Sequence, residues 1–165
     1  MLPINSHIWV SASAGTGKTT ILTNRVLQLL LSGAHPATIL CLTYTNAAAA
    51  EMRERILSRL GHWMIAEDKD LRKSLSDIVD EINDDVLTRA RSLFFIVSEQ
   101  PDSLAIQTIH SFCQSILKRF PLEAGVSPYF TVMDADESRS MMEQAFESLL
   151  LDMRRGGQVL SLIHI

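Results

Sequence analysis

The residues best suited to chemistry lie between Ser11 and Thr20, which read SASAGTGKTT. A phosphate loop has two glycines separated by four residues, then Lys and a hydroxyl residue. Ala12 stands at the first glycine position, and Gly17, Lys18 and Thr19 fit the rest. Small side chains with Gly15 and Gly17 let the backbone curl so that its N–H groups face an anion. The stretch from Ala12 through Ser13, Ala14, Gly15, Thr16, Gly17, Lys18 and Thr19 to Thr20 is therefore a candidate nucleotide site. A helix starting near Lys18 would turn its positive end to the same anion. Lys18 would meet the β- and γ-phosphates of ATP, and Thr19 would offer its hydroxyl to Mg²⁺. Gly-Lys-Thr alone also fits a Gly/Ser loop that binds nothing; a strand before it and a helix after it favour the phosphate reading.

Two further segments carry short polar side chains at element boundaries. Thr43 to Met52 reads TYTNAAAAEM, and Thr108 to Cys113 reads TIHSFC. Each follows an apolar, strand-like run, and ligands of parallel sheets gather outside the carboxyl ends of strands. Thr43, Thr45, Asn46, Thr108, His110 and Ser111 suit contacts to phosphate and sugar, which position a nucleic-acid strand without reading its sequence. A lone His is more often structural, but its strand-end place favours contact for His110. Tyr44 reads as a packed aromatic. Arg53, Arg55 and Arg59 read as a solvated helix face, with Glu51 four residues before Arg55.

The elements that must position these residues alternate. Ile8 to Val10 predicts a buried strand before the loop. Ile21, Leu22, Val26, Leu29 and Leu30 recur at helical spacing, and Gly33 stops the helix. Ile39 to Leu42 predicts a second strand. A helix follows from Asn46 to Leu60, closed by Gly61. This is the βαβ pattern of a parallel α/β sheet. From Leu71 to Val97 the apolar residues step by three or four, as one helix or a pair broken near Asn83, ended by Pro101. Ala105 to Ile109 predicts a third strand and Phe112 to Phe120 a helix. Pro121 to Pro128 reads as a loop and 130–132 as a weak strand. Met142, Ala145, Leu149 and Met153 mark a last amphipathic helix ending at Gly156-Gly157.

The 165 residues suffice for one domain with a core. The formal net charge of −4 gives no overall basic signal for nucleic acid, so any grip on it must be a local patch. Cys41 and Cys113 sit in apolar runs and read as buried free thiols, with no disulfide or metal spacing. No signal-peptide pattern opens the chain, and the longest apolar stretch, Ile21 to Leu31, is too polar to span a bilayer, so the cytoplasm is the expected location.

The phosphate loop, TYTNAAAAEM and TIHSFC occur in the order of motif I, motif Ia and the following motif of UvrD/Rep-like superfamily 1 helicases, which the chain resembles from about Trp9 to Asp152. ILCLTYTNAAAAEMRERI, TIHSFCQSILKRFPLEAGV and YFTVMDADE are most similar to AddA, the helicase–nuclease component of bacterial double-strand break repair, in its alphaproteobacterial form. The resemblance implies a P-loop NTPase (RecA-like) sheet and an ATP-dependent 3′-to-5′ DNA helicase that uses Mg²⁺. It also implies single-stranded and duplex DNA as substrate, an AddB-type partner protein, and no membrane. Residues 1–130 would form an incomplete first motor lobe with a helical insertion at about 62–103. Residues 131–157 would begin an inserted helical subdomain, and 158–165 match no part of the family.

Three departures stand out. No glutamine precedes the loop to read adenine. No apolar strand ending in Asp-Glu is visible: Asp77 interrupts the run before Asp80-Glu81, and Asp136-Glu137 lies outside any such run, so both pairs read as solvated helix surface. No arginine finger or nuclease motif is present. The 165 residues alone are therefore expected not to turn over ATP. The rival functions are a small phosphoryl-transfer kinase and a non-catalytic nucleotide- or DNA-binding module. A kinase would act without DNA, and a motor would require single strands.

Overall fold

The computed structural model describes residues 6–11, 13, 15, 17–99 and 104–156. Its elements are α1 (Lys18–Leu31), a short 3-10 turn (Pro36–Thr38), β1 (Leu40–Thr43), α2 (Asn46–Ile65), α3 (Asp68–Leu75), α4 (Asp84–Ser98), β2 (Ala105–Thr108), α5 (Ile109–Arg119) and α6 (Ala135–Gly156). The chain divides into two compact units, Met1–Ile116 and Leu117–Ile165. No described helix is long and apolar enough to cross a membrane.

In the first unit β1 and β2 pair in parallel, with Cys41 opposite Ile106 and Thr43 opposite Thr108. Because side chains alternate along a strand, these four residues share one face, where Ile106 and Thr108 are buried and Cys41 and Thr43 half-buried. Leu40 and Leu42 point to the other face and are each 45% exposed. The expected strand at Ile8 to Val10 does not form, and Trp9 is 93% exposed. A strand is held by ladder bonds to a neighbour, and no described strand lies beside this segment.

The core is helical. Leu27 and Leu30 of α1, Ile56, Leu60 and Trp63 of α2, Leu71 and Leu75 of α3, and Ala90 of α4 are fully buried. Burying a side chain of Leu size contributes about 1.5–3 kcal/mol, so this cluster dominates the unit's stability. Trp63 places its polar edge as well as its ring, donating from Nε1 to Ser74 Oγ at 2.8 Å. Two arginines of α4 add donors at the C-terminal ends of α1 and α2. Arg89 Nε donates to Leu30 O at 2.8 Å, and Arg91 Nη1 to Ala66 O at 2.9 Å.

Helix boundaries follow local chemistry with one exception. Gly33, at φ 106, ends α1, and Ala34 N–H reaches back to Leu29 O. Asn83 caps α4 by accepting from Val86 N, which fixes the break between α3 and α4. Gly61 does not close α2, which runs on to Ile65. The glycine sits where Phe94 of α4 lies against it, 3.5 Å from where a Cβ would stand. The residue that resembled a stop serves helix packing.

In the second unit Asp134 opens α6. Its Oδ1 accepts from the backbone N–H of Asp136 and Glu137 at 2.9 and 2.8 Å. Residues 130–132 form no strand. They border the capped start of α6, whose residues 135–152 are exposed. Gln100 to Ser103, with the expected stop at Pro101, and residues 157–165 lie outside the described residues.

Candidate functional site

The phosphate-loop candidate ends at the N-terminus of α1. Gly15 and Gly17 both have φ near 80, which residues with a Cβ rarely adopt. Among the described residues, neither glycine would crowd a neighbour if it carried a Cβ, so backbone conformation is what demands glycine here. Gly17 occupies the cap position of α1 without a side-chain cap bond, and the first turn holds no acidic residue. Lys18 opens that turn, and its Nζ donates to Ser13 O at 2.6 Å, holding the ammonium over the loop. Thr19 is half-buried and Thr20 exposed. Backbone N–H groups at a helix start, a lysine and a hydroxyl are the donor set an anion needs. For Mg²⁺ the loop supplies one ligand type, the Thr19 hydroxyl. No group of three or more His, Cys, Asp or Glu able to hold a metal occurs among the described residues. Ala12, Ala14 and Thr16 lie outside the described residues.

The strand-end segments meet through the sheet. The parallel register sets Thr43 beside Thr108. Thr43 Oγ1 donates to Thr45 O at 3.0 Å, and Thr45 Oγ1 accepts from Ala48 N at 3.1 Å, capping α2. Thr108 Oγ1 accepts from Ser111 N at 3.1 Å and lies 2.9 Å from Ser111 Oγ, which starts α5 in the same way. Thr108 is buried. These hydroxyls thus build the turns from strand to helix, while Thr45, Asn46 and His110 are exposed.

Tyr44, expected to pack, is 84% exposed. It follows the last residue of β1, where the chain bends out of the sheet before α2. An aromatic set between two threonines at a strand end was the signal that could have marked it as surface. Cys113, expected to be buried, is exposed on α5, a helix with no buried residue. Cys41 is half-buried, and desolvation pushes its thiol up from the usual range. Arg55 is solvated and paired with Glu51 at 2.5 Å. Arg53 and Arg59 are not freely solvated: both are half-buried and bonded to other elements, through Ile106 O at 3.0 Å and Asn24 Oδ1 at 2.9 Å. Asp80 and Glu81 are exposed in the segment between α3 and α4, not on a helix. Asp136 and Glu137 are exposed in the first turn of α6.

A two-strand parallel sheet under a helical layer, with two positive-φ glycines before α1, defines a helix-rich α/β protein. A family profile described as the UvrD/REP helicase N-terminal domain matches residues 1–158, and the chain belongs to that family. Among relatives, the ATP-dependent helicase/nuclease AddA of Lactobacillus gasseri is 34% identical over 150 residues, 90% of this chain and 11% of the relative. The proteins of the same name from Pediococcus pentosaceus and Anoxybacillus flavithermus are 32% and 33% identical, over 87% of this chain and 10% of each relative. The chain thus spans about a tenth of the length of these relatives.

Proposed function

We propose that this chain is the ATP-binding front of the first motor lobe of an ATP-dependent DNA helicase acting in double-strand break repair. The observation that carries the reading is the loop: two glycines at positive φ, then Lys18 and Thr19, at the start of a helix with an uncapped, acid-free first turn. In a member of this helicase family, that arrangement fits the phosphates of ATP. The parallel pairing of β1 and β2 supports a P-loop NTPase sheet of RecA type. Residues 1–130 belong to the lobe, 62–103 to a helical insertion, and 131–157 to the start of a further helical subdomain.

When bound, ATP with Mg²⁺ supplies the phosphoryl group whose hydrolysis drives the motor. The residues here bind and orient it. Backbone N–H groups of the loop and the Lys18 ammonium would hold the phosphates, and the Thr19 hydroxyl would be offered to Mg²⁺. Single-stranded DNA crosses the strand ends, with the exposed Asn46 and His110 toward its backbone, while Thr43, Thr45 and Ser111 hold the turns that present them. Tyr44 offers a base-stacking surface. Thr108 acts behind them by starting α5. An AddB-type protein is the expected partner.

The test is Lys18→Ala in the full-length protein. DNA-stimulated ATP hydrolysis should fall at least about 10²–10³-fold, the loss seen when one preorganised electrostatic contact is deleted from a site. The melting temperature should not change. Near-normal turnover in the variant would refute the assignment of the loop.

A further inference from the structure

Two of the three arginines that the sequence assigned to solvent, Arg53 and Arg59, sit six residues apart on α2 and bond to different elements. Arg59 Nη1 donates to Asn24 Oδ1 on α1, in the second turn beyond the phosphate-loop candidate. Arg53 Nη2 donates to Ile106 O on β2, two residues before Thr108. Arg53 also keeps its Nε buried without an acceptor. That unpaired donor costs free energy, and the bond to Ile106 O is what holds Arg53 against the strand. Beside the Arg59 link the helices part around an open groove of about 350 Å³ lined by Thr20, Thr23, Glu54, Arg55, Ser58 and Arg59. The Arg59–Asn24 bond is a polar tie between α1 and α2 at the edge of that groove. At its N-terminal end the same helix is capped by Thr45, in the strand-end segment.

We propose that α2 is the coupling element between the two candidate sites, and that Arg59 and Arg53 are positioning residues that transmit the state of the loop helix to the strand ends. The inference rests on the reading of the chain as an ATP-driven DNA motor. A helix buried along Met52, Ile56, Leu60 and Trp63 is close-packed on that face and transmits strain along it. A displacement of α1 as its N-terminus engages phosphate passes through Asn24 and Arg59 to α2. It then reaches β2 through Arg53 and the capped turn at Thr45. Charge-assisted hydrogen bonds suit this role, because they are directional and about twice as strong as neutral ones.

The experiment uses the full-length protein and measures ATP hydrolysis with and without oligothymidylate. Arg59→Ala should lower the ratio of stimulated to basal turnover about threefold to tenfold, within the range by which residues between coupled sites act. Basal turnover and affinity for a fluorescent ATP analogue should stay unchanged. Asn24→Ala should give the same loss, and the double variant no more than either single one, because both remove one bond. Arg59→Lys should restore part of the ratio. A ratio within about twofold of wild type in both single variants, or additive losses in the double variant, overturns the proposal. A parallel fall in basal turnover and thermal stability marks a structural role and also overturns it. Lys18→Ala separates the premises. If it spares ATPase, the motor reading fails; if it abolishes ATPase while Arg59→Ala leaves the ratio intact, only the coupling fails.

Discussion

The phosphate loop and the strand ends are both built from threonine, serine and small residues, yet the fold uses them differently. In the loop, Gly15 and Gly17 set the backbone and Gly17 caps α1 with no side-chain bond, so the proposed anion site relies on backbone N–H groups. At the strand ends, Thr45 and Thr108 accept from the N–H groups that start α2 and α5. A helix start can be filled by a hydroxyl or left to an outside anion. Where the hydroxyl fills it, a residue that looked like a ligand-binding group becomes scaffold, and contact falls to its exposed neighbours. The contrast teaches that a polar motif must be divided into the part that makes the turn and the part that faces outward.

The largest effect that would sharpen this contrast is expected at Tyr44. Tyr44→Ala should weaken oligothymidylate binding by about 1–3 kcal/mol, the worth of one base stacked on an aromatic ring. Fluorescence anisotropy reads it, and an unchanged dissociation constant would return Tyr44 to a packing role. Gly17→Ala comes next. Forcing a Cβ into the left-handed region costs roughly 1–2 kcal/mol. The local loop should distort, so affinity for an ATP analogue should drop while DNA affinity holds; a drop in both would mean the loop is not a separate site. The smallest effects divide the strand-end motif itself. Thr108→Ala should lower stability by about 1 kcal/mol through the lost cap. His110→Ala should leave stability alone and weaken single-strand binding by about 1 kcal/mol, equally across DNA sequences. If the two variants exchange phenotypes, the division drawn between scaffold and contact is wrong.

Much of this was legible in the residues. The helical period after Gly17, the apolar runs near Leu40 and Ile106, and the break at Asn83 each became the element expected, because local spacing and capping decide them. Ile109 left its expected strand for α5, since the Thr108 cap ends the ladder one residue earlier. Gly61 misled because glycine marks a helix stop and also a site of close packing, and only Phe94, distant in sequence, tells them apart. Ile8 to Val10 has strand composition but no described strand to pair with.

The sequence by itself determined the phosphate-loop candidate, since positive φ at Gly15 and Gly17 and the charge of Lys18 are local properties. It also determined the family, through the order and content of its motifs. Tertiary structure alone decided which polar residues face solvent and which bind other elements. Arg53, Arg55 and Arg59 are one residue type on one helix, yet two bond to β2 and α1 and the third pairs with Glu51. The physical reason is that a guanidinium's partner is set by what lies within reach in space, and Arg53 reaches a carbonyl 53 residues away along the chain.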